Sequence, residues 1–237
     1  MNLGVLVNWL TPEQWMAVRL SLLVASVATL ASLPFGLAIA WLLARRDFWG
    51  RALLDTLVHL PLVLPPVVTG YLLLLGFGKR GPIGAFLAEH FGLVLSFRWT
   101  GAALACAIMG FPLMVRAIRL SLEAVDPKLE DAAGTLGASP PLVFLLVTLP
   151  LILPGVIAGM VLGFAKAMGE FGATITFVSS IPGETQTLSS ALYGLTQVPG
   201  GDSGALRLTT VSIVISVFAL LASDWLARMV ARRIKAR

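Results

Sequence analysis

Residues 126–150 read DPKLEDAAGTLGASPPLVFLLVTLP, and the rest of the chain is organised around them. Asp126 is a good N-cap, Pro127 suits the first helical position, and Gly137 suits a left-handed stop. Between them Leu129, Ala132, Ala133 and Leu136 recur at i, i+3, i+4 and i+7. They form one apolar stripe of small, flat surface, with Glu130, Asp131 and Thr135 off it. A helix this short neither spans a bilayer nor builds a core. Its expected use is docking into a groove on another protein.

The surroundings are membrane-grade. The 237 residues are 57% hydrophobic with a mean hydropathy of +0.91, and 12% are charged. Soluble domains carry roughly 25% charged residues, so the chain reads as an all-α integral membrane protein. Its 23 Gly and 14 Pro agree with that, both being frequent in transmembrane helices. The single cysteine, Cys106, excludes a disulfide framework and a cysteine-based metal site. The net charge of +5 gathers at the ends of apolar runs, which fits membrane topology and no nucleic-acid partner. The N-terminus has no basic region followed by a small-residue cleavage site, so the first span is expected to do its own targeting.

Five spans are predicted at about 20 apolar residues each. They are Leu20–Ala44, Thr56–Gly78 with Pro61, Pro65 and Pro66 inside it, Trp99–Leu122, a long stretch from Pro140 to about Val178, and Ala205–Val230. In the last, Asp224 and Arg228 are expected to pair at i, i+4. With the N-terminus outside, the inner face holds Arg45, Arg46, Arg51, Arg116, Arg119, Lys128, Arg228, Arg232, Arg233, Lys235 and Arg237. The outer face keeps Arg19, Lys79, Arg80, Arg98 and Arg207, leaving Lys166 in the apolar stretch. That bias obeys the positive-inside rule. Trp9, Trp15 and Trp99 fall at outer span ends and Trp41, Trp49 and Trp225 at inner ones, as aromatic belts require. The N-out, C-in topology places residues 126–150 in the cytoplasm.

The fourth span has two readings. Either Pro140–Thr148 is already transmembrane and Lys166 and Glu170 reach the outer surface, or it is a second interfacial helix. In the latter case the span starts near Pro150 and carries Lys166 and Glu170 deep in the membrane. The second is preferred because it absorbs the apolar residues Phe171–Gly183 without a sixth span. Beyond it, Leu188, Ala191, Leu192 and Leu195 predict a short outer amphipathic helix, and the Pro199–Gly204 turn leads into the last span. There is no internal repeat.

No G-x-x-x-x-G-K-[ST] pattern occurs, so ATP is not bound by that route, and no H-E-x-x-H or paired Cys/His spacing occurs. Gly201-Asp202-Ser203-Gly204 resembles the nucleophile loop of serine proteases, but neither His59 nor His90 has a reason to lie near it. A flexible loop before a span accounts for it as well.

Asp131-Ala132-Ala133, three residues, Gly137, nine residues, Val147, one residue, Leu149-Pro150 resembles the cytoplasmic coupling motif of ABC-importer permeases. That motif is E-A-A, three residues, G, nine residues, I-x-L-P. Asp131 departs from its Glu and keeps the charge, and Val147 for Ile is conservative. The resemblance implies the type I importer permease fold, with residues 1–237 as one transmembrane domain in the cell inner membrane. It implies a helix that docks into a groove on a cytoplasmic ATPase. It also implies a homodimer with two such ATPases, which hold ATP and magnesium that this chain does not bind, and an extracytoplasmic binding protein.

Two further stretches, HLPLVLPPVVTGY at 59–71 and GFAKAMGEFGATITF at 163–177, are similar to the sulfate and molybdate branch of that family. With IPGET at 181–185 the wording is most similar to the molybdate permeases, and tungstate and sulfate or thiosulfate are the alternative cargoes.

The residues also read on their own. Ionisable side chains inside a membrane segment are costly and face a cavity or a partner. Leu162, Lys166, Glu170 and Thr174 share one helical stripe, so Lys166 and Glu170 can neutralise one another, either as a structural lock or beside a path. Hydroxyls at Thr174, Thr176 and Ser179 are candidate donors to a dianion. Pro65 and Pro66, with Thr69 following, free backbone groups and suit a bent helix near a gate, or a packing kink. Arg116 and Arg119 fit snorkelling topology residues or an inner attraction for a leaving anion. The competing classes are an intramembrane serine hydrolase built on Ser203 and an ion-gradient transporter. The latter predicts inverted repeats, which the sequence lacks.

Overall fold

The computed structural model describes residues 9–235, with helices and no strand among them. The expected Asp224–Arg228 pair and the basic positions Arg232, Arg233, Lys235 and Arg237 fall outside what is described of side chains. The helices are α1 (Pro12–Arg45), α2 (Arg51–Val63), α3 (Pro66–Phe77), α4 (Pro82–Phe91) and α5 (Trp99–Glu123). They continue as α6 (Pro127–Thr135), α7 (Pro140–Met168), α8 (Gly172–Val178), α9 (Leu188–Thr196) and α10 (Asp202–Lys235).

Local chemistry sets most boundaries. Thr11 and Gln14 make a reciprocal capping box ahead of Pro12, at 3.2 and 3.1 Å. Asp126 caps α6 by accepting from the Lys128 N–H at 3.0 Å. Gly137, at φ +87°, takes the left-handed conformation expected of it. The short outer helix is present as α9, capped by Thr187.

The bundle centres on α1, α5 and α7, which pack closely along their lengths. Small residues permit it. Gly155 of α7 lies over Ala117 and Ser121 of α5, Gly159 over Met114, and Gly163 over Gly110, a descending match that makes the two helices antiparallel. A Cβ at Gly159 would sit 3.0 Å from the Met114 carbonyl oxygen. Without a hydrophobic drive between helices in lipid, such close approach supplies the packing energy. The G-x-x-x-G-x-x-x-G spacing at 155–163 is a sequence signal that the reading above does not use.

Side-chain ties define the two ends. At one end Arg45 of α1 meets Glu130 of α6, Arg51 of α2 donates to the Leu43 carbonyl, and Arg119 of α5 meets Asp55 of α2. At the other, Ser21 accepts from the Leu188 N–H and Arg207 donates to the Trp9 carbonyl. The Lys/Arg bias assigns the first end to the cytoplasm.

Two expectations are corrected. The second span is not one helix from Thr56 to Gly78 but α2 and α3, bent by 115°. Leu64 precedes Pro65 and Pro65 precedes Pro66, so both are pushed out of the helical region, with ψ of 141° and 133°. α2 starts among the inner residues, and Leu74 and Phe77 at the end of α3 pack with Leu20, Leu95 and Phe177 toward the outer end, so the pair makes one crossing.

The fourth span also differs. The helix is continuous from Pro140 to Met168, with a π-helical turn at Phe144–Thr148, so Pro140–Thr148 is not a separate interfacial helix. It stops at Gly169, and the tail is not absorbed but forms α8 instead. Thr174 therefore lies on a different helix from Lys166, and the stripe Leu162–Lys166–Glu170–Thr174 is interrupted.

Candidate functional sites: a coupling surface and a crossing of broken helices

The first candidate is the cytoplasmic surface of α6. None of its residues is buried. Leu129 is 50% exposed and Leu136 89%, with Asp131 and Ala132 also exposed. Asp131 forms no ion pair among the described residues, and Ala133 is half-buried. Gly137 has open space around it, and Leu149 and Pro150 lie half-buried where α7 resumes α-helical geometry. Among the described residues, Leu129, Ala132 and Leu136 of the stripe are left exposed.

Glu130 points elsewhere. Its Oε1 accepts from Arg45 Nη2 at 3.1 Å and from Thr148 Oγ1 at 2.6 Å. The sequence signalled neither contact.

The second candidate lies where the two broken spans cross. α3 packs on α8, bringing together the two stretches at 59–71 and 163–177. Gly70 faces Ala173 and Thr176, and Gly172 faces Pro66, all at distances that leave no room for a Cβ. Pro65 is exposed, Pro66 half-buried and Thr69 buried.

Glu170 organises this crossing. Its side chain is 1% exposed, and it takes Lys166 Nζ at 2.8 Å on one oxygen and the Ala173 N–H at 3.0 Å on the other. It therefore neutralises the lysine and caps the first turn of α8, satisfying an N–H the helix leaves free. Lys166, at 29%, keeps partial exposure.

The hydroxyls divide. Thr174 donates to the Phe171 carbonyl and Thr176 to the Gly172 carbonyl, each at 2.9 Å, whereas the buried Thr69 Oγ1 has no hydrogen-bond partner. Ser179, at φ +65° and ψ −165°, ends α8 in a conformation normally left to glycine. Its carbonyl accepts from Thr185 Oγ1 at 3.2 Å.

The crossing lies beside the interior of α5, away from its Trp99 end. Cys106 Sγ donates to the Ala167 carbonyl at 3.5 Å, and Cys106 is seven residues into α5, roughly 10 Å below Trp99 at 1.5 Å per residue.

The serine-hydrolase constellation does not assemble. Asp202, Ser203 and Gly204 open α10 at the outer end, whereas His59 is held by Asp55 at the inner end and His90 stacks on Phe86.

Comparison with known proteins adds three findings. Residues 32–236 match the family described as "Binding-protein-dependent transport system inner membrane component". Over 220 residues, 93% of this chain and 96% of the relative, it is 62% identical to the "Molybdenum transport system permease protein ModB" of Escherichia coli (strain K12). Identity to the Haemophilus influenzae protein of the same name is 55%, over 92% of this chain and 95% of that one. Among solved structures, a bacterial ABC transporter involved in the import of the acidic polysaccharide alginate superposes with a TM-score of 0.74 at 16% identity. That superposition covers 97% of this chain and 84% of that one.

Proposed function

The chain belongs to the binding-protein-dependent transport system inner membrane components, and from that premise we propose that it is the molybdate-translocating permease of an ATP-driven importer. Its working form is a homodimer of one-domain subunits, residues 1–237 each, with two cytoplasmic ATPase subunits and an extracytoplasmic molybdate-binding protein. The observation that carries the coupling part is the exposed stripe Leu129–Ala132–Leu136 on a capped helix tied to the cytoplasmic end of the bundle. The resemblance to two molybdenum permeases over more than nine-tenths of the chain supports the cargo.

The ATPases hold ATP and magnesium, and this chain supplies the path and the lever. ATP binding changes the docked groove, which favours one of two arrangements of the spans through a difference in contact energy. The crossing of α3 and α8, with Pro65, Pro66, Thr69, Lys166, Glu170, Thr174 and Thr176, is the proposed path or gate. Thr69 is the hydroxyl there with an uncommitted donor, and the Lys166 charge is offset by Glu170, so a dianion is guided without being trapped.

The test is labelled molybdate uptake into proteoliposomes holding permease, ATPase and binding protein. Tungstate should compete and a large excess of sulfate should not; preference for sulfate reassigns the cargo. Docking is tested separately. Leu136→Asp changes a side chain that contacts little of its own chain, so it should leave the permease folded and remove co-purification of the ATPase. A retained complex refutes docking through this stripe.

A further inference from the structure

Glu130 is adjacent to the motif acid Asp131 but does a different job in this fold. Asp131 points to water, whereas Glu130 lies round the helix and meets the membrane body with one oxygen. That oxygen holds Arg45, at the C-terminal end of α1, and Thr148, at the last position of the π-helical turn of α7. Arg45 and Thr148 come from two of the three central helices.

The junction is built rather than incidental. Thr148 is buried, and its hydroxyl has Glu130 as its partner. Arg45 Nη2 also reaches the Val125 carbonyl at 3.5 Å, just ahead of α6, so the guanidinium holds the helix at its start and one turn in. α6 packs mainly on the start of α7. The π-helical turn is a local departure from α-helical hydrogen bonding, of the kind that recurs at functional sites.

We infer that Glu130 is the positioning residue through which a displacement of the coupling helix reaches α1 and α7 together. Docking alone moves α6; the Arg45–Glu130–Thr148 junction turns that movement into a coordinated tilt of two central helices. Without it α6 follows the ATPase while the spans lag, and ATP is hydrolysed without transport. This rests on the importer reading above and adds a residue outside the docking stripe.

The experiment uses the full complex in proteoliposomes and measures ATP hydrolysed per molybdate imported, with co-purification of the ATPase as a separate readout. Glu130→Gln and Arg45→Gln should each keep the ATPase bound and raise that ratio about fivefold or more, the lower end of a typical coupling energy. The charge-swapped pair Arg45→Glu/Glu130→Arg should return the ratio toward the wild-type value, which a generic loss of stability would not do. Where a single variant fails to assemble, the swapped pair carries the measurement, since it keeps the ion pair between α1 and α6. An unchanged ratio in the assembled single variants, or a swapped pair that stays uncoupled, overturns the inference. Loss of ATPase co-purification only in Leu136→Asp leaves the docking reading standing whichever way Glu130 falls.

Discussion

Replacing Gly70 with valine is expected to lower molybdate uptake by at least about tenfold and to reduce the thermal unfolding midpoint of the purified permease. The reason is geometric. A Cβ at Gly70 would lie 2.9 Å from both Ala173 Cα and Thr176 Cβ, and closer still, at 2.5 Å, to the Ala173 carbonyl oxygen. Two of those three are backbone atoms, which cannot rotate away. Overpacking a well-filled contact costs about 1–3 kcal/mol, and the upper end applies where backbone must shift. The displaced piece is α8, whose first turn is tied to Glu170 and whose far end packs beneath Gly101. The control is Gly76→Val on the same helix, where the added Cβ meets nothing within 4 Å. That variant should keep uptake near the wild-type rate. Equal loss in both variants would show that valine disturbs α3 itself, and the crossing would have no special role.

The second large effect concerns the buried carboxylate. Lys166→Met leaves Glu170 with the Ala173 N–H as its only polar partner among the described residues, at 1% side-chain exposure. Breaking a buried pair from one side costs about 3–5 kcal/mol, because the remaining charge is uncompensated. Glu170→Gln should cost less. The amide oxygen can still accept from Ala173, and Lys166, at 29% exposure, keeps room to turn its ammonium away. The double variant Lys166→Met/Glu170→Gln should regain most of the stability lost in Lys166→Met, giving a coupling energy in a double-mutant cycle. Thermal unfolding in detergent measures it. Uptake by the double variant then separates two roles. A structural lock predicts recovered uptake along with recovered stability, whereas a pair beside the anion path predicts recovered stability and impaired uptake.

Sequence and structure divide along the range of the forces involved. The capping of α6 by Asp126, its stop at Gly137 and the Lys166–Glu170 pair at i, i+4 are decided within a turn or two, and all three were legible. The pre-proline break at Leu64–Pro65 is equally local, yet apolar length alone merged α2 and α3 into one span. Hydropathy counts residues and carries no direction, so it also ran α7 on into α8. The four-residue glycine spacing on α7 was legible too and announces close approach without naming the partner.

The sequence by itself therefore determined a polytopic helical membrane protein with a short, capped cytoplasmic helix that carries an apolar stripe. Composition, charge bias and motif spacing suffice for that, because each is a property of neighbouring residues. Only the tertiary structure decided that Gly70 meets Ala173, that Glu170 caps α8, and that Glu130 turns away from water to hold Arg45 and Thr148. A carboxylate on a short helix is equally stable in solvent or in an ion pair as far as its neighbours in sequence can tell. Which it chooses depends on a guanidinium 85 positions away, brought within 3.1 Å by the packing of small residues along α1, α5 and α7.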